Sequence, residues 1–151
     1  MPAIKVTAAK GLHQVSGTST IPAGTLSGHR AVTEVITASK SLTAADSGKV
    51  FLIATDALVI TLPATQTGIE YTFINSGADG NNIVTISPNA SDAIHGTFTL
   101  ASSVVELSGA DNKDLIHTKA TANTGDMAKI VGDGSGGWFV VAGTGIWASE
   151  S

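Results

Sequence analysis

The chain has 151 residues, the size of one domain able to bury a real core, with a formal net charge of −4. It has only 8 Lys and Arg against 12 Asp and Glu, and Arg30 is the sole arginine, so it lacks the clustered basic stripe that nucleic-acid binding needs. No cysteine is present, which excludes disulfides and thiolate metal sites, and no apolar run approaches the ~20 residues of a membrane span.

Charged residues make up 13% of the chain, against about 25% in an average soluble protein, and Thr, Ser, Ala and Gly fill the gap. Net charge keeps proteins apart, whereas packed contacts tolerate few ions. The expectation is an oligomer or a component of a larger assembly. The N-terminus lacks the apolar core of a signal peptide, so synthesis and assembly in the cytoplasm are expected.

Residues 1–31 show neither a helical period nor a long alternating strand. They read as an extended arm or as a disordered tail. Ile4, Val6, Leu12, Val15, Ile21 and Leu26 are apolar anchors spaced along the segment, and they favour an arm laid across a partner. Residues 32–151 form the expected β domain.

That domain opens with Val32 to Thr37, rich in β-branched residues. Leu42 to Gly48 follows, where Thr43 can cap one helical turn that Gly48 ends. Val50 to Thr55 is nearly all apolar, the composition of a strand covered on both faces. With Leu58 to Leu62 it reads as a hairpin turning at Asp56-Ala57, although the turn lacks the usual glycine. Pro63 stops the second of these strands.

Tyr71 to Asn75 puts Tyr71 and Phe73 on one face, Thr72 and Ile74 on the other. A loop of Gly, Asp and Asn leads to Ile83–Ile86. Ile94 to Leu100, Ser103 to Leu107, Leu115 to His117 and Asp126 to Val131 are further strand segments, and Asp133 to Gly137 turns into Trp138 to Ala142. Strands at this spacing predict an all-β fold, an antiparallel β-sandwich or jelly-roll-like barrel. No fixed-period repeat is visible.

Chemistry-bearing patterns are sparse. His13, His29, His95 and His117 each stand alone, without metal-site spacing. Gly134-Ser135-Gly136 lacks the spacing of a nucleophile elbow and reads as a turn. Asp79, Asp111, Asp114, Asp126 and Asp133 sit in turn contexts, where a carboxylate bonds nearby backbone. Trp138 and Phe139 point to opposite faces, so one belongs to the core and the other nearer the surface. Trp147 is a candidate interface aromatic, packed on a neighbouring subunit or exposed. No catalytic residue, metal or cofactor is expected.

The order of Ile60–Pro63, Gly68–Asn75, Gly77–Gly80, Val84–Ala90, Asp111–Leu115, Thr118–Ala122, Gly125–Asp126, Val131–Gly134 and Gly137–Trp138 resembles a pattern in structural proteins of tailed bacteriophages. The likeness is to capsid decoration (cement) or head-fibre proteins and spans roughly residues 40–142. The resemblance implies a non-enzymatic virion protein on the capsid exterior, a homotrimer bridging copies of the major capsid protein and assembled in the host cytoplasm. The alternative is a receptor- or glycan-binding fibre tip, for which Trp138 or Trp147 would supply the sugar platform.

Overall fold

The computed structural model describes residues 31–151. The arm positions Ile4, Val6, Leu12, Val15, Ile21 and Leu26 therefore lie outside the described residues. Thirteen strands follow one another: β1 (Thr33–Ile36), β2 (Lys40–Ser41), β3 (Val50–Ile53), β4 (Leu58–Thr61), β5 (Glu70–Asn75), β6 (Val84–Ser87), β7 (Ala93–His95), β8 (Thr97–Thr99), β9 (Val104–Glu106), β10 (Leu115–His117), β11 (Met127–Gly132), β12 (Gly137–Thr144) and β13 (Trp147–Ser149). They form a six-stranded sheet, β1-β3-β5-β11-β12-β7, a five-stranded sheet, β13-β10-β6-β4-β2, and a two-stranded ribbon, β8-β9. The fold is an all-β sandwich.

From β1 to β7 the chain winds between the sheets. Odd-numbered strands join the six-stranded sheet and even-numbered ones the five-stranded sheet. Successive windings stack in parallel, β1 on β3 on β5 and β2 on β4 on β6. A parallel pair needs a crossover connection, and here the crossover is a strand of the opposite sheet. The later strands close the sheets antiparallel: β11 lies between β5 and β12, and β10 between β6 and β13. The sheets are thus mixed, where the turn chemistry had suggested antiparallel pairing throughout.

The expected hairpin between Val50–Thr55 and Leu58–Leu62 is corrected by this topology, because β3 and β4 belong to different sheets. Ala57 has a positive φ of 59°, and the chain turns a corner there instead of folding back. The next winding holds that corner. The Ala57 N–H donates to the Ile83 carbonyl at 3.1 Å, and the Ile83 N–H donates to Asp56 Oδ1 at 2.8 Å.

The core fills the space between the sheets. Phe51, Ile53, Tyr71, Phe73, Ala128, Ile130 and Trp138 face Leu58, Ile60, Val84, Ile86, Leu115 and Trp147. Phe51 stacks on Phe73 with ring centroids 5.7 Å apart, and Tyr71 tilts against Trp138 at 5.5 Å, the offset geometries aromatic pairs prefer. The Tyr71 hydroxyl donates to the Thr43 carbonyl at 2.9 Å, which satisfies the polar end of a buried ring.

Two local expectations meet their chemistry. Thr43 precedes a 3-10 turn at Ala44–Asp46, and the Asp46 carboxylate accepts from the Thr43 N–H at 3.0 Å and hydroxyl at 2.9 Å. Between β11 and β12, Asp133 Oδ1 accepts from the Ser135 N–H at 2.7 Å and the Gly137 N–H at 2.9 Å. These bonds hold its carboxyl below the usual range. Gly134 and Gly136 supply the positive φ that this turn requires.

Candidate functional site

The side of the six-stranded sheet turned away from the core carries more apolar than polar side chains. Strand alternation sends Phe51, Phe73, Ala128 and Ile130 inward, so their chain neighbours point out. Register aligns those neighbours in rows. Val35, Leu52, Ile74, Met127 and Thr144 cross five strands in the first row. Thr33, Val50, Thr72, Lys129 and Ala142 form the second, and Glu70, Val131, Phe139 and His95 the third. Val35 is 63% exposed, Val141 56% and Phe139 45%.

Lys129 and Glu70 are the charged side chains of these rows, and they pair with each other at 2.8 Å. A sheet face meant for water normally alternates apolar-in with polar-out. β3, with Val50 and Leu52 on one side and Phe51 and Ile53 on the other, has the composition of a strand covered on both faces, yet the described residues cover one. Val35, Phe139 and Val141 are exposed and Leu52, Ile74, Met127 and Val131 half-buried, and apolar surface left open in this way marks an interaction site.

The outer side of the five-stranded sheet is different. One row holds Val59, Thr85, Ile116 and Ala148, and beside it lie Ser41, Thr61 and Ser87. The second row is all hydroxyl, the first is apolar but for Thr85, and no ionised side chain stands in either.

Two clusters of ionisable side chains pair their charges within the chain. Glu34, Lys40, Asp46 and Lys49 close the end of the sandwich where β1 and β2 are the sheet edges. Lys49 bonds Asp46 at 2.6 Å and Glu34 at 3.1 Å, Lys40 pairs with Glu34, and the Lys40 ammonium sits 5.6 Å from the centre of the Phe51 ring. Lys49 is the main cause that lowers the Asp46 carboxyl to about 2. Lys40 and then Lys49 lower that of Glu34, and Asp46 and then Glu34 raise the Lys49 ammonium.

The second cluster is His117 with Asp126. The imidazole is fully buried, its Nε2 lies 2.9 Å from Asp126 Oδ2, and its ring sits 4.6 Å from that of Trp147. Asp126 Oδ2 also accepts from the Asn123 N–H at 2.8 Å. His117 Nδ1 has no partner. The pair ties β10 to the loop before β11 and supports Trp147 of β13. Among the described residues, no nucleophile bonds to it to make a relay of the triad type.

Of the positions singled out in the sequence, Trp138 is core and Phe139 exposed, as their alternation requires. Trp147, expected as an interface aromatic, is buried within its own chain at 1% exposure, stacked on Phe98 at 5.8 Å with its indole N–H donating to the Thr144 carbonyl. Neither indole offers its face to solvent. His117 and Asp126, read as a lone histidine and a turn carboxylate, meet through the fold. Among the described residues, no group of three or more His, Cys, Asp or Glu is placed to hold a metal ion. Val35, Ile74 and Met127 were not singled out in the sequence. Their signal was available in β11, where Met127 and Val131 are apolar on one parity and Ala128 and Ile130 on the other.

No known protein-family model matches the chain, and no curated protein matches it.

Proposed function

We propose that this chain is a non-enzymatic structural protein of a tailed-phage virion, which decorates the outside of the capsid and stabilises it by bridging major capsid protein subunits. The observation that carries the reading is the unequal dress of the sandwich: exposed Val35, Phe139 and Val141 on the outer face of one sheet, and a row of Ser41, Thr61 and Ser87 on that of the other. A subunit of a lasting assembly needs one surface for contact with its neighbours and one for solvent. The ordered resemblance over residues 40–142 and the low charge support the same reading.

Binding energy alone does the work. Occupied sites favour the assembled shell over separated subunits by mass action. Residues 1–31 carry the shell contact through Ile4, Val6, Leu12, Val15, Ile21 and Leu26, and many copies, as homotrimers, multiply weak contacts into lasting attachment. The test is co-sedimentation of the full chain with undecorated tailed-phage heads, before and after heating. Saturable binding that raises the temperature of head rupture is expected. Binding that survives deletion of residues 1–30 unchanged would remove the arm from the mechanism, and no binding to any head would remove the reading.

A further inference from the structure

We propose that the outward face of the six-stranded sheet is the surface on which one copy of this chain docks against a second copy of itself. This deepens the virion reading, and rests on it, by naming the occupant of the apolar face. The occupant follows from charge. Across the three residue rows the ionised groups are Glu70 and Lys129, one of each sign and 2.8 Å apart. A partner of one dominant charge is selected by a face of the opposite sign. A neutral apolar face with one acid beside one base complements itself instead. Against a second copy, the Lys129 ammonium of each meets the Glu70 carboxylate of the next, while the apolar rows leave water together.

The geometry of β12 fits the same role. Phe139 stands out from the face already stacked on His95, with ring centroids 5.2 Å apart, so an aromatic anchor is ordered before docking. A register shift between Lys129 and Ile130 adds a residue on β12 and sets both Val141 and Ala142 opposite Lys129. The bulge widens the apolar surface beside the ion pair. Lys129 and Glu70 keep 34% and 41% of their side-chain surface exposed, which leaves donors and acceptors open to the second copy.

Sedimentation equilibrium of the full chain, with the melting transition recorded for each variant, tests the assignment. A mass that is a multiple of 15.1 kDa is expected. Phe139→Asp should raise the dissociation constant at least about tenfold. Val59→Asp, on the outer side of the other sheet, should change it by no more than about twofold.

Two charge variants read the contact itself. Glu70→Lys and Lys129→Glu should each weaken self-association, and an equal mixture of the two should associate more tightly than either variant alone. In the mixture each approach of like charges between copies becomes an approach of opposite charges. A monomer at every concentration, equal loss with Val59→Asp and Phe139→Asp, or no gain on mixing would each overturn the proposal. A chain that stays monomeric yet sediments with phage heads overturns this inference and leaves the capsid reading in place. A self-associating chain that ignores every head does the reverse.

Discussion

The two outer faces of the sandwich come from strands of similar length and lie over one shared core, yet they are dressed differently. On the six-stranded sheet Val35, Leu52, Ile74, Met127, Val131, Phe139 and Val141 point outward. On the five-stranded sheet the equivalent places are held by Ser41, Thr61, Thr85 and Ser87 together with Val59, Ile116 and Ala148. Packing within the described residues explains the inner positions of both sheets equally well. It does not explain why the outer positions of the first are apolar more often than those of the second. Burying a Val, Leu or Phe side chain is worth about 1.5–3 kcal/mol, and the first face leaves that free energy unrealised. On the proposed reading, the difference gives contact to one side and solvent to the other.

The comparison requires that the sandwich be held from between its sheets, with the outer sides contributing little to folding. The largest effect should therefore come from the centre. Trp138 is fully buried against Tyr71, and Trp138→Ala should cost about 3–5 kcal/mol in chemical denaturation. A loss under about 1 kcal/mol would mean that the core is not where stability resides. Next comes Asp126→Ala, which removes the hydrogen-bond partner of the buried His117. A loss of about 1–3 kcal/mol is expected, and an unchanged denaturation midpoint would show the pair to be incidental.

The sandwich end should report through pH. Asp46 has its carboxyl lowered from 3.8 to about 2 in the folded chain, chiefly by Lys49. The folded state thus binds this proton less readily than the unfolded state. The stabilisation is complete above the unfolded value and is lost as pH falls from about 3.8 through about 2. It amounts to about 2 kcal/mol, and Asp46→Asn should flatten the acid limb of stability against pH. The smallest effects belong to the outer sides. Phe139→Asp and Val59→Asp should each alter the stability of the isolated monomer by about 0.5 kcal/mol or less. A large loss from Phe139→Asp would recast that face as part of the fold.

Much of this body is legible in the sequence, because a strand's inward set repeats every second residue. Tyr71 and Phe73 against Thr72 and Ile74, and Trp138 against Phe139, are sorted by parity alone. The turn at Asp133–Gly136 is likewise written in local chemistry. What parity does not encode is which strands pair. The parallel stacking of β1, β3 and β5 joins residues separated by a whole winding, with no repeated motif to mark it. Val50–Thr55 and Leu58–Leu62 look like hairpin partners because they are adjacent, and only the corner at Ala57 sends them to opposite sheets. The His117–Asp126 contact depends on the same long-range pairing. Trp147 looked available because it lies near the C-terminus, but β13 pairs with β10 and carries its indole onto Phe98 and His117. The candidate face was half legible, through the doubly apolar composition of β3. Its extent appeared only when register aligned that strand with β5, β11 and β12.

The most direct test of the sidedness uses the absence of native cysteine. Val141→Cys and Val59→Cys each place one thiol on the outer side of one sheet, at positions 56% and 40% exposed. Thiol labelling rates are compared between the dilute chain and the fully associated chain, alone or on phage heads. Labelling at position 141 should slow at least about tenfold on association while labelling at position 59 keeps its rate. Equal rates at position 141 in the two states, or protection at position 59 in its place, would contradict the sidedness.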